Sequence, residues 1–236
     1  MTTLHNLFPT PVLQVSATIE NYDPVQLEIQ AAWKTIQENN DFTTVSYFCK
    51  ESQEVLSAKT YNFIEKYNCK HLETRIYEAV DQYIKQIGWK ATCDGFVIKD
   101  SWMNVMDKGD SHTLHCHPGY TISGTYYFRV SGQQGSIRFN NPNALMFYCQ
   151  FPQGHVAPQT TDIVPDDGDV ILFPSWLVHG TQKNLTNDQR ISIAFNLDPV
   201  NLVENRVMGL VKASHIPANK TIPSIKELIK DFPRGL

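Results

Sequence analysis

Apolar positions along this chain change their period near residue 95. Before it they recur at helical spacing; after it they fall into short alternating runs separated by turn residues. In the first region, "DPVQLEIQAAWKTIQENN" predicts a helix with Asp23 as N-cap, Pro24 in the first turn, and Leu27, Ile29, Ala31 and Trp33 along it. "HLETRIYEAVDQYIKQIGW" predicts a second helix. Its stripe is Leu72, Ile76, Val80, Tyr83, Ile84 and Ile87, and it stops at Gly88. From residue 96 the expected strands are "GFVIKDSWMNVM", "SHTLHCH", "YTISGTYYFRV", "GSIRFNN", "DVILFPSWLVH" and "RISIAFNL". Turn signals separate them at "DKGD", "SGQQG", "NNPN", "PDDGD" and "NLTND".

Helices followed by a run of strands predict a mainly β protein, a sandwich or barrel with helices packed outside it. The division expected is 1–95 as helical support, 96–200 as the β core and 201–236 as a C-terminal extension, in one structural domain overall. In the extension, "SIKELIKDF" reads as a short helix ending before Pro233. No internal repeat or low-complexity stretch interrupts the pattern.

Composition excludes several function classes. The 236 residues are 42% hydrophobic and 11% aromatic with a formal charge of −4, a globular balance without the basic footprint of a nucleic-acid binder. The N-terminus lacks the pattern of a secretory signal, and no run of about 18 apolar residues suggests a membrane span, so the expected compartment is the cytoplasm. The five cysteines, Cys49, Cys69, Cys93, Cys116 and Cys149, are scattered and contain no CxxC. That spacing fits free thiols better than a disulfide framework or a zinc knuckle.

The densest candidate chemistry is "SHTLHCHPGY" at residues 111–120. On a strand, His115 and His117 point to one face, about 7 Å apart along the backbone, while His112, Leu114 and Cys116 point to the other. Two imidazoles on one face converge on a metal ion if a third ligand arrives from a neighbouring strand. Two hydrogen-bonded surface histidines would give the same pattern, and short motifs are often false positives. A third histidine, His179, closes the apolar run "GDVILFPSWLVH". Beyond it, "RISIAFNL" puts Arg190, Ser192, Ala194 and Asn196 on one face and Ile191, Ile193 and Phe195 on the other. Solvent would account for that polar face. So would a carboxylate held by Arg190 with the Ser192 hydroxyl completing the grip.

Taken together, the paired histidines, the distal histidine after "GDVILFP" and the RxS that follows resemble the iron(II)- and 2-oxoglutarate-dependent oxygenases. More narrowly, "LFPTPV", "SHTLHCHPGYTISGTYYF", "LFPSWLVH" and "RISIAFN" are similar to a family of 2-oxoglutarate-Fe(II) oxygenases that includes prolyl-hydroxylase-like members. The resemblance runs through most of the chain, most clearly from Trp102 to Asn196. It implies a double-stranded β-helix, a jelly-roll core whose mouth holds Fe(II), with 2-oxoglutarate as cosubstrate and O2 as oxidant. Within it, His115 and His179 would be metal ligands. Arg190 and Ser192 would hold the distal carboxylate of 2-oxoglutarate, and Tyr127 matches a tyrosine that contacts it; an ordinary interior aromatic is the alternative for Tyr127. Asn104 is counted with these cofactor-binding residues.

One position departs from the superfamily's usual pattern. Where HxD or HxE is usual this chain has His117, so the ligand set would be three imidazoles without a carboxylate, and an arriving dianion would supply the missing charge. Asp110, in a turn, and His112, which would need a bulge, are the nearer substitutes. "HLE" at residues 71–73 falls on the second helix and reads as helix surface. The reaction implied is hydroxylation of an amino-acid or peptidyl side chain with release of succinate and CO2. Substrate contacts are expected from Trp102, Asn104 and the long connection "NPNALMFYCQFPQGHVAPQTTDI", which could equally be an extra hairpin. Trp176 is expected in the core. The partners expected are a small-molecule or peptidyl substrate and at most a second copy of the chain, without nucleic acid or membrane. Two competing readings are a cupin-like dioxygenase that needs no keto acid and a metal-bound jelly-roll binding module without turnover.

Overall fold

A computed structural model describes residues 9–48, 55–56, 62–89, 93–143 and 159–200. The alternating runs form two facing sheets. The larger is built from β1 (Leu13–Val15), β2 (Val45–Phe48), β3 (Val55–Leu56), β4 (Phe96–Met106), β5 (Ile122–Arg129), β8 (Val170–Pro174) and β10 (Arg190–Pro199), in the order β1-β8-β5-β10-β4-β2-β3. The smaller holds β6 (Ile137–Asn140), β7 (Thr160–Ile163) and β9 (His179–Thr181), in the order β7-β6-β9. All pairings are antiparallel except β2 with β4. Apart from the pairs β2–β3 and β6–β7, strands consecutive in the chain are not neighbours, as in a jelly roll, and this is the mainly β architecture with flanking helices that the pattern predicted.

Period two decides what each strand buries. On β10, Ile191, Ile193, Phe195 and Leu197 face outward, as do Tyr126 and Phe128 on β5 and Val170 and Leu172 on β8. They pack against α1 (Ile19–Asn39) and α3 (Lys70–Ile87), which contribute Val25, Ile29, Trp33 and Ile36 and Leu72, Ile76, Val80 and Tyr83. A second apolar cluster, including Tyr127, Ile137, Phe139, Ile171 and Phe173, fills the space between the sheets. Strands β5 and β8 therefore serve two layers.

Several expectations change. The first helix begins at Ile19, so Asp23 is not its N-cap and Pro24 lies inside it. Its buried stripe is Val25, Ile29, Ala32, Trp33 and Ile36, leaving Leu27 71% exposed, because a 3.6-residue period cannot bring Leu27 and Ile29 to one face. The region before residue 95 also supplies β1, β2 and β3 to the larger sheet, besides a short helix, α2 (Phe63–Lys66). "SHTLHCH" is not a regular strand: only His115 makes a bridge, to His179. "DVILFPSWLVH" divides into β8 in one sheet and β9 in the other, and the corner between them turns Trp176 outward, 55% exposed rather than in the core. "SIKELIKDF" and residues 144–158 of the long connection lie outside the described residues, as do Leu7 and Phe8 of "LFPTPV". Cys69, Cys93 and Cys116 are free thiols, and no helix among the described residues is long and apolar enough to cross a membrane.

The helix α3 is closed at both ends. Gly88 takes the left-handed conformation at φ 66° as its C-cap. Cys69 at the N-terminus makes no side-chain cap bond; instead Glu28 of α1 accepts the backbone N–H groups of His71 at 2.9 Å and Leu72 at 3.1 Å and contacts the His71 ring at 2.8 Å. A carboxylate on two unpaired N–H groups is a charge-assisted cap supplied from a neighbouring helix. Glu28→Ala should cost about 1–2 kcal/mol by that cap's usual range, read as a lower midpoint of chemical denaturation with an unchanged slope.

Candidate metal centre

The inward face of the larger sheet is polar, and cross-strand register arranges it in rows. Ser192 of β10 stands between Asn104 of β4 and Tyr127 of β5; Ala194 stands between Trp102 and Thr125, and Asn196 between Asp100 and Ser123. Arg190 opposes Met106 at one end. The cavity that these rows line, roughly 450 Å³ including its open mouth, also receives His112, His115, His117 and His179 from the opposite wall.

Three of those imidazoles come together. His115 and His179 exchange backbone N–H···O bonds of 2.8 Å in both directions, which sets their rings 4.5 Å apart. His117 lies two residues on, its N–H on the Ser175 carbonyl at 2.9 Å and its ring 5.1 Å from both others. One ligand nitrogen from each of the three lies within 4.8 Å of the other two. The spacing of His115 and His117 thus puts both at one centre although the segment is not a strand, because the bridge to β9 and the contact with the β8–β9 corner hold it extended.

Each ring is also held in one tautomer. Nδ1 of His115 lies 2.8 Å from the Thr113 carbonyl, Nδ1 of His179 2.8 Å from the Leu177 carbonyl, and Nδ1 of His117 2.8 Å from Oδ1 of Asn196. Carbonyl oxygens only accept, so each Nδ1 carries the proton and each Nε2 presents its lone pair. Burial pushes His179 down to about 3 and lowers His117, the nearby imidazoles adding to the effect. Both stay neutral at physiological pH, the state a metal requires of imidazole. Nε2 of His117 is buried without a hydrogen-bond partner among the described residues. A buried acceptor left open costs free energy, and a cation shared with His115 and His179 removes that cost. The donor set therefore fits a borderline divalent metal such as iron.

The other end of the cavity fits an anion. Arg190 is 2% exposed, with burial lowering its pKa. Its neighbours are Sδ of Met106 at 3.4 Å and the Tyr127 ring, whose centroid is 5.4 Å from the guanidinium carbon; its Nε has no partner. No carboxylate pairs with Arg190 among the described residues. Buried charges are otherwise paired, so the solvent explanation for its polar strand face falls away. Tyr127 is fully buried and pushed up to about 12 by that burial, which keeps its phenol protonated as a donor. Asn104 is buried as well, its Oδ1 accepting the Trp102 indole N–H at 3.1 Å.

Every site residue expected from the sequence, His115, His117, His179, Arg190, Ser192, Tyr127 and Asn104, lines this one cavity. His112 lines it too instead of facing away, its ring 5.8 Å edge-on to His115. It does so because the chain from 111 to 114 is irregular and alternation does not apply. Asp110 stays outside the cluster and accepts the Asp107 N–H at 2.8 Å as part of its turn. His71 remains on the helix surface against Glu28. Sequence reasoning missed Asp100, and it left Asn196 on the polar face of "RISIAFN" without a task.

Residues 100–196 match the family model described as "Putative 2OG-Fe(II) oxygenase". Among solved structures, HygX from Streptomyces hygroscopicus with nickel and 2-oxoglutarate bound is 14% identical, with a TM-score of 0.54 over 89% of this chain and 90% of that one. AviO1 from Streptomyces viridochromogenes Tue57 is 8% identical, with a TM-score of 0.53 over 82% and 91%. An oxidoreductase of the 2OG-Fe(II) oxygenase family from Burkholderia pseudomallei is 18% identical with a TM-score of 0.39, over 54% of this chain and 58% of that one. The likenesses to HygX and AviO1 establish a shared fold. No curated protein matches the chain.

Proposed function

We propose, from the match of residues 100–196 to the 2-oxoglutarate-Fe(II) oxygenase family model, that the protein is such an oxygenase and hydroxylates an amino-acid or peptidyl side chain. His115, His117 and His179 would hold Fe(II), and Arg190 would hold the distal carboxylate of 2-oxoglutarate, with Ser192, Tyr127 and Asn104 beside it. When bound, iron and 2-oxoglutarate together activate O2, one oxygen atom entering succinate as CO2 leaves and the other entering the substrate C–H bond as hydroxyl. The observation that carries this reading is the buried, uncompensated guanidinium of Arg190 in the same cavity as three open imidazole nitrogens. A cupin-like dioxygenase that uses no keto acid has no task for that cation.

The chain's own contributions are positional. The Nδ1 bonds of the three histidines hold their lone pairs toward one point, which spares reorganisation when the metal arrives. Trp102 stacks on His117 with ring centroids 5.7 Å apart and planes 20° from parallel, and it walls the cavity on that side. A prime substrate would enter over Trp102, which lines the cavity. The expected setting is the cytoplasm.

The test is an anaerobic titration of metal-free protein with Fe(II) and then 2-oxoglutarate. The expected result is a visible charge-transfer band from chelated keto acid, absent in His117→Ala, with succinate forming slowly once air is admitted without prime substrate. Bound iron with no band and no succinate would reject the 2-oxoglutarate reading.

A further inference from the structure

Among the described residues no carboxylate joins the three imidazoles to partly neutralise a divalent cation, and a carboxylate stands one step behind them. Nδ1–H of His117 donates to Oδ1 of Asn196 at 2.8 Å, and Nδ2 of Asn196 donates to Oδ1 of Asp100 at 2.8 Å. The second oxygen of Asp100 accepts the Tyr120 hydroxyl at 2.6 Å. Ser123 donates from Oγ to Asn196 Oδ1 at 2.7 Å and lies 3.0 Å from Ser175 Oγ. These contacts fix the amide. Only its NH2 can face a carboxylate, so Oδ1 must face His117, and His117 must carry its proton on Nδ1.

The backbone is shaped for this chain of bonds. Asp100, Asn196 and Ser123 are direct cross-strand neighbours on β4, β10 and β5. The pairing shifts register between Asn196 and Leu197, where Ile98 rather than Lys99 follows Asp100 as the partner. Ile98 and Phe96 pack on the outer apolar cluster. In unbroken alternation Asp100, two residues after Ile98, would share their face; the bulge at Lys99 turns it inward to Asn196.

We propose that Asp100 and Asn196 are positioning residues for His117, and that Asp100 supplies negative charge to the metal centre through Asn196. The inference rests on the reading of His115, His117 and His179 as the metal site. Polarisation along the two hydrogen bonds makes Nε2 of His117 a stronger donor, and the network holds its ring plane toward the other two imidazoles.

The test exchanges the two side chains. Nickel(II) binding to the metal-free full chain is measured by calorimetry for the native protein, His117→Ala, Asp100→Asn, Asn196→Leu and the double exchange Asp100→Asn with Asn196→Asp. In the exchange, residue 196 as aspartate accepts from His117 and Ser123, and residue 100 as asparagine donates to it and accepts from Tyr120, so every bond is kept and the charge moves closer to the metal. Asp100→Asn and Asn196→Leu should weaken nickel binding by about 10–100-fold, the usual range for outer-shell partners, and the exchange should restore native affinity or exceed it. A contribution to folding alone would not be repaired by moving the charge. Native affinity in Asp100→Asn, or an exchange as weak as Asp100→Asn, would overturn the proposal while His117→Ala still bound weakly. Native affinity in His117→Ala would instead overturn the metal-site reading beneath it. If Asn196→Leu does not fold, the comparison of Asp100→Asn with the exchange decides alone.

Discussion

Arg190→Met should leave the metal-free protein at least as stable as the native chain while removing its grip on 2-oxoglutarate. The two halves have one cause. Arg190 is among the most buried large side chains, its nearest polar neighbours are a thioether and a phenol, and no carboxylate reaches it among the described residues. A buried charge without a counterion costs several kcal/mol, so replacing it with an apolar side chain of similar reach relieves that cost. In the bound state the balance reverses, because a planar guanidinium grips a carboxylate bidentately in a dry site. Truncating one partner of such a pair costs about 2–5 kcal/mol, or roughly 30- to 5,000-fold in affinity. Calorimetry of the metal-loaded variant with 2-oxoglutarate checks the second half and thermal unfolding without ligand checks the first. Unchanged 2-oxoglutarate affinity would remove Arg190 from the site. A Tm lower by many degrees would make it a structural residue.

His179→Ala should abolish stabilisation by metal. His179 is the most enclosed of the three imidazoles, 6% exposed, with its ring 4.5 Å from those of both His115 and Phe173. Its removal leaves two ligands and a void, and the loss of a direct ligand should exceed the 10–100-fold typical of outer-shell partners. Binding at a thousand times Kd stabilises by about 4 kcal/mol, and a chain of this size gains about 2–4 °C per kcal/mol. The native protein should therefore gain on the order of 10 °C in Tm with saturating nickel(II). His179→Ala should gain almost nothing. It should also start lower by the void's cost, about 1–3 kcal/mol for lost ring contacts. An equal metal-induced rise in both proteins would place the ion elsewhere.

Much of this site was legible in the sequence where local sterics govern. Alternation along "RISIAFN" put Arg190, Ser192 and Asn196 on one face, and the structure keeps that face inward because successive strand side chains cannot do otherwise. The stripe of α3 and its stop at Gly88 follow from the same kind of rule with a period of 3.6. What alternation could not say is which face meets which. It assigned His112 to the wrong side because the segment around it is irregular, and it sent Trp176 inward because it could not show that the run toward His179 turns a corner between two sheets.

The decisive facts of the site are long-range. His115 meets His179 across 64 positions, Asn196 reaches Asp100 across 96, and the absence of a carboxylate beside Arg190 is a statement about every described element packed around the cavity. A single bulge in β4 places Asp100 on the polar face, where unbroken alternation from Phe96 and Ile98 would have put it on the apolar one. By itself the sequence determined where the imidazole, guanidinium and amide side chains lie along the chain and, within regular strands, which neighbours share their face, since backbone geometry repeats every two or 3.6 residues. Register, bulges and the closing of one sheet over another decided where those faces converge and which charges remain unpaired. Those depend on burying apolar area between segments far apart in the chain, and no local period records that.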